Sequence, residues 1–247
     1  LADLILDADS NVRRGLLSAF DEDKNVYQGL AASLSSIYLD KKGIEAIYDP
    51  KEKSLRLGKA VFYPFTQKEF AYRNVDKTVY QILLNYRSLK QDFETVTLRD
   101  VLSGNLSEEQ VRSRIVLIGM TAKSVNDFHS IGYASSVRNK NIRIPGVKIH
   151  AHLTSQIISG ALDGRPMINV LSYQGEFFWV LCWSLTGSCV SWVLLEANSK
   201  RKKAFLGLTI LGISIAVGTL IVCCYGSFLI GWWIPAVSPF FALITSA

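Results

Sequence analysis

The chain has 247 residues, with 27 basic and 21 acidic side chains and a formal net charge of +6. All but four of the basic and two of the acidic residues lie in residues 1–173, where the signs are interspersed, a balance that argues against a nucleic-acid-binding surface. All four cysteines (Cys182, Cys189, Cys223 and Cys224) lie in the C-terminal third, so residues 1–173 hold no disulfide, thiolate metal site or catalytic cysteine.

In chain order, "DLILDADSNVRRGLLSAF" (3–20) predicts two short strands around a turn at Asp7–Asn11. "VYQGLAASLSSIYLDKKG" (26–43) sets Leu30, Leu34, Ile37 and Tyr38 at helical spacing, with lysines at its end and Gly43 as a stop. "SLRLGKAVFYPF" (54–65) has the form of a hairpin turning at Gly58 and Lys59. "TVYQILLNYR" (78–87) and "RIVLIG" (114–119) are apolar enough for buried strands. Between them, "LRDVLSGNLSEEQVRSR" predicts two short helices, the second capped by Ser107 with Glu108 and Glu109 in its first turn. "SVRNKN" (136–141) is the most loop-like stretch. The alternation predicts an α/β domain built on a mixed sheet.

"IPGVKIHAHLTSQIISGALDGRP" (144–166) predicts a helix entered at Pro145 and ended at Gly160. On a helical wheel Lys148, His152, Ser155 and Gln156 share one side; Val147, Ile149, Ala151, Leu153, Ile157 and Ile158 share the other, with His150 among them. The two histidines are then about 200° apart and cannot chelate one ion together, since helical metal pairs use i, i+4. His152 is expected at the surface, and His150 in the core or lining a pocket. No metal or other cofactor is expected; a site drawing on Asp127, His129 and His150 is the only arrangement the sequence offers.

Three uncharged runs follow, at 177–195, 204–225 and 228–247, each of a length to cross a bilayer as a helix. Pro235 and Pro239 make the third the weakest. "EANSKRKK" (196–203) carries four basic residues and the link 226–227 none, so 196–203 is expected in the cytoplasm and 1–173 outside, in a multi-pass inner-membrane protein. The chain opens on Leu1 within "LADLIL", and further sequence is expected upstream and downstream.

"YQILLNYR", "VTLRDVLSGNL", "RSRIVLIGMTAKSVNDFH" and "IPGVKIHAHLTSQIISGALDGRP", followed by apolar spans, together resemble the second class of CHASE domain, the cyclase/histidine-kinase-associated sensory extracellular domain, in a form similar to cyanobacterial members. The resemblance runs from "DADSNVRR" into the membrane region. It departs at Ser10, where the family tends to carry glycine, and at "SYQG" (172–175), where it tends to be rich in Trp and Pro. It implies a bacterial receptor, usually homodimeric, whose outer α/β sensor (here lacking its N-terminal half) relays a stimulus through membrane helices to a kinase, cyclase or protease-type effector in the same polypeptide.

The rival classes are weaker. "GMTAKS" (119–124) ends in Lys-Ser like a phosphate loop but lacks the glycine before the lysine. A hydrolase would need a nucleophile elbow or a convergent acid pair, and a transporter would need intramembrane charge; the sequence shows neither. In open α/β sheets ligands sit beyond the carboxyl ends of strands. The expected ligand site is therefore Gly119, Thr121, Lys123, Ser124 and Asp127 after the 114–119 strand, Asn85 and Arg87 after the 78–87 strand, and His150. Its donors outnumber its acceptors, favouring a small polar or anionic ligand. The alternative is that Lys123 and Arg87 are solvated while Thr121 and Ser124 cap the next helix.

Overall fold

The computed structural model describes residues 1–23, 25–65, 72, 76, 78–87, 93–122, 124–134, 141–197 and 202–247. They form two compact units, Leu1–Phe65 with Asp76–Met167, and Thr66–Val75 with Ile168–Ala247.

The first unit contains β1 (Asn11–Val12), β2 (Arg14–Phe20), β3 (Val26–Gln28), α1 (Leu30–Asp40), β4 (Ala46–Asp49), β5 (Ser54–Leu57), β6 (Ala60–Phe62), β7 (Val79–Leu83), α2 (Leu98–Leu102), α3 (Glu108–Val111), β8 (Phe128–Ala134), β9 (Asn141–Pro145) and α4 (Gly146–Asp163). The mixed α/β class stands, but the strands are shared among three small sheets. These are ordered β3-β2-β7, β4-β5-β6 and β1-β8-β9, and β1 pairs with β8 in parallel. The hairpin turns at Gly58, with φ at 55°, and its Lys59 N–H donates to the carbonyl of Ala161 at the end of α4.

Helix α4 is the spine of this unit. Ile149, Leu153, Ile157 and Ala161 join Val12, Leu17, Leu39, Phe62, Ile82 and Ile131 in one core. A Cβ on Gly15 would lie 2.6 Å from a Leu153 methyl, so the bare backbone of β2 allows the helix its close approach. The helix ends at Gly164, left-handed at φ 73°, whose N–H donates to the Gly160 carbonyl. The predicted stop at Gly160 is thus corrected: that glycine lies inside the helix, where Met167 and Ala60 crowd it.

Three further expectations change. Residues 26–28 pair as β3, and α1 buries Ala31, Ser35 and Leu39 while Ile37 stays 58% exposed. Small side chains at i, i+4 let α1 lie close against α4, with Ser35 Oγ 3.4 Å from the Thr154 carbonyl. Residues 114–119 form no strand; Val116 is 53% and Ile118 96% exposed. The composition suits a strand, but no neighbouring segment among the described residues supplies the pairing that makes one. The loop-like stretch 136–141 lies, apart from Asn141 in β9, outside the described residues.

The second unit contains β10 (Asn169–Val170), α5 (Tyr173–Ala197), α6 (Lys202–Leu229), β11 (Trp232–Trp233) and α7 (Val237–Ser246). Strands β10 and β11 pair in parallel. The stretch Gly207–Leu229 of α6 is long and apolar enough to cross a membrane, and only 11% of its apolar window is buried. It is the one such helix among the described residues, where the sequence predicted three. The third predicted span, 228–247, is broken: its start belongs to α6, Trp232–Trp233 are extended, and α7 has 10 residues. At 1.5 Å per residue α7 reaches about 15 Å, half of a hydrocarbon core. It packs on α5 instead, with Leu243 fully buried, Ser246 Oγ donating to the Ser184 carbonyl (2.7 Å) and Trp179 Nε1 to the Pro235 carbonyl (3.0 Å).

Candidate functional site

The expected ligand residues fall into two sets arranged along α4. Near its N-terminus the Asp127 carbonyl accepts the Gly146 N–H (3.1 Å), and its carboxylate meets His129 Nε2 at 2.9 Å. A Cβ on Gly146 would sit 2.6 Å from that carboxylate, so glycine there lets the acid reach the positive end of the helix. His150, one turn on, donates from Nε2 to the Ala2 carbonyl at 3.2 Å; its Nδ1 is buried without a partner. Burial holds the His150 pKa below its ordinary value, against the opposing pull of the Ala2 carbonyl and of Asp127 and Asp3.

Gly119 also belongs to this end. A Cβ there would lie 2.5 Å from Val147 Cβ, so what approaches its backbone is the first turn of α4. Thr121 and Ser124 are exposed on the loop that follows, and Lys123 lies outside the described residues.

The second set surrounds the other half of α4. Gln156, fully buried, accepts the Asn85 N–H (2.8 Å) through Oε1 and donates through Nε2 to the Leu83 carbonyl (2.9 Å). Asn85 Nδ2 donates to the Pro166 carbonyl at 3.2 Å, and Arg165 Nη2 to the Asn85 carbonyl at 2.6 Å. Arg87 lies two residues further along the same strand exit. Asn85 and Arg87 thus come together with Gln156 and Arg165, while Asp127, Gly119 and His150 gather six to ten residues before Gln156 on α4, about 9–15 Å along its axis.

The wheel's separation of the two histidines stands, but its assignment of faces is corrected. His152 is 3% exposed, its ring edge-on to Tyr86 (5.2 Å between centroids) and Phe93 (4.9 Å), whereas His150 is half-buried. Tyr86, its hydroxyl held protonated by burial, donates to the Val12 carbonyl at 2.8 Å. Both polar residues that the pattern assigns to solvent lie inside: backbone groups pair the Gln156 amide, and two aromatic rings pack against the His152 ring.

Sequence reasoning missed Gln156 and Arg165. The signal for the arginine was present in "GRP": Gly164 turns the chain left-handed and Pro166 restricts it again, fixing where the side chain between them departs. Among the described residues no group of three or more His, Cys, Asp or Glu side chains is placed to hold a metal ion.

A mixed α/β unit of small sheets assembled on one long helix is thus followed by one helix, Gly207–Leu229, long and apolar enough to cross a membrane. Residues 1–189 match the CHASE2 domain, and the chain belongs to that family. It is a sensory domain, which implies extracytoplasmic sensing in signalling proteins. No curated protein and no solved structure matched the chain.

Proposed function

We propose that the chain is the sensing and membrane-crossing part of a bacterial receptor, binding an external stimulus and relaying it to a kinase, cyclase or protease-type effector in the same polypeptide. The observation that carries this reading is a CHASE2 domain leading directly into helices whose apolar side chains point outward. On α6, Ile215, Ile221 and Val222 are 60% or more exposed, and on α5 Phe178, Trp192 and Val193 are similarly bare. Water tolerates such surfaces poorly and hydrocarbon accepts them. Helix α5, 25 residues long and uncharged between Glu176 and Glu196, crosses first; α6 returns. The basic residues 200–203, at the entry to α6, keep the segment 196–203 in the cytoplasm and the sensor outside.

The test is topological. Single cysteines at Lys140 and Asn198, in a chain whose four native cysteines are replaced, are exposed to an impermeant thiol reagent in cells with a permeabilised outer membrane. Labelling at 140 and protection at 198 is the expected result; the reverse pattern overturns the orientation.

A further inference from the structure

Two arginines of the sensor unit come together without an acid. Arg165 is fastened to the Asn85 carbonyl, and Arg87 leaves the chain two residues beyond. Both are half-buried, and Nε of Arg87 and Nη1 of Arg165 are shielded from solvent with no acceptor. A buried charged donor left unpaired is strongly unfavourable. The same unit shows how the chain treats arginines it means to neutralise: Arg13 and Arg14 are held by Asp7 and Asp9 at 2.6 to 3.0 Å. Among the described residues no such carboxylate reaches Arg87 or Arg165.

We propose that Arg87 and Arg165 bind a compact oxyanion of the phosphate type, either a soluble phosphate compound or a phospholipid headgroup. Two guanidinium groups, each with a free N–H, match the charge and the several acceptor oxygens of such a group. Burial, and then the Arg87 charge, weaken the hold of Arg165 on its proton; a bound anion relieves both. Gly164 and Pro166 fix the backbone on either side of Arg165, so the site is preformed on one flank. This deepens the receptor reading by giving the stimulus a chemistry, and rests on that reading only for the word stimulus.

The experiment is thermal unfolding of the full chain in phosphatidylcholine nanodiscs, with inorganic phosphate replacing chloride at constant ionic strength. Wild type should gain roughly 5 °C at phosphate a hundredfold above its dissociation constant. Arg87→Gln and Arg165→Gln should each abolish that gain. In chloride alone Arg87→Gln should unfold no earlier than wild type, because it removes one of two like charges and no hydrogen bond. In nanodiscs containing phosphatidylglycerol, a gain already present before phosphate is added assigns the site to a headgroup; a gain that still requires phosphate assigns it to a soluble anion. A wild-type chain indifferent to both phosphate and lipid, or a gain that survives both substitutions, overturns the proposal. Thiol labelling does not depend on these arginines, so the receptor reading and this site fail separately.

Discussion

Gln156 stands in for a missing strand beside Asn85. Its side-chain amide offers the carbonyl and N–H that a neighbouring backbone would present, closing on the Asn85 N–H and the Leu83 carbonyl where β7 ends. Replacing it by leucine keeps the volume and orphans two buried backbone groups. Gln156→Leu should lower stability by about 2–4 kcal/mol, read by urea denaturation of the full chain. A change within 0.5 kcal/mol would show that water replaces the amide.

The histidines should separate in the order opposite to that of the helical wheel. His152→Ala opens a cavity between Tyr86 and Phe93 and should cost about 2–4 kcal/mol. His150→Ala removes one bond from a half-buried ring and should cost about 1 kcal/mol. Equal losses would contradict the burial described.

His150 also makes stability depend on pH. Its folded pKa lies below the ordinary value of 6.5, burial being the main cause. As pH falls through 6.5 the unfolded chain therefore takes up a proton that the folded chain resists, and stability declines until the folded pKa is passed. His150→Gln should flatten the decline in melting temperature on acidifying from pH 7. The charges of Asp127, Asp3 and His129 act on the same ring; an unchanged slope would remove His150 from the account.

Ser10 holds φ at 62° in the turn closed by its N–H to the Asp7 carbonyl. Glycine adopts this left-handed backbone without the steric cost that serine bears. Ser10→Gly should stabilise by about 0.5–1 kcal/mol, seen as a higher denaturation midpoint with an unchanged slope. A loss would mean the serine side chain contributes more than its strained backbone costs.

Gly119→Ala should cost about 1–3 kcal/mol through collision with Val147, whereas Ile118→Ser next to it should stay within about 0.5 kcal/mol. A tolerated Gly119→Ala would restore open space at that backbone.

Where local chemistry decides the outcome, the sequence was readable. The Gly58 hairpin, the Ser107 cap, strand β7 and the family resemblance follow from a few adjacent residues each. Several misreadings share one cause, which is partners distant in sequence. "RIVLIG" has the composition of a strand and lacks a neighbour; His152 and Gln156 have the polarity of a surface and meet the exit of β7, some 70 residues away. Of the candidate ligand residues, Asn85 and Arg87 were recognisable as a strand exit carrying donors. Arg165 was not, because only the end of α4 brings it to them. The third apolar run was misjudged in length alone: proline and the paired Trp232–Trp233 shorten its helix to α7.

Strand β1 pairs in parallel with β8, so Val12, fully buried, meets Ile131 across about 120 residues of intervening chain. Closing so large a loop is entropically unfavourable until the rest of the core supports it. During synthesis the first strand has no partner until nearly the whole sensor unit has emerged, and α4, which seals the core, comes later still. Assembly of this domain is consequently a late, single event: a chain interrupted before β8 would leave β1 unpaired, and one interrupted before α4 would leave the surfaces of α1 and β2 open to proteases.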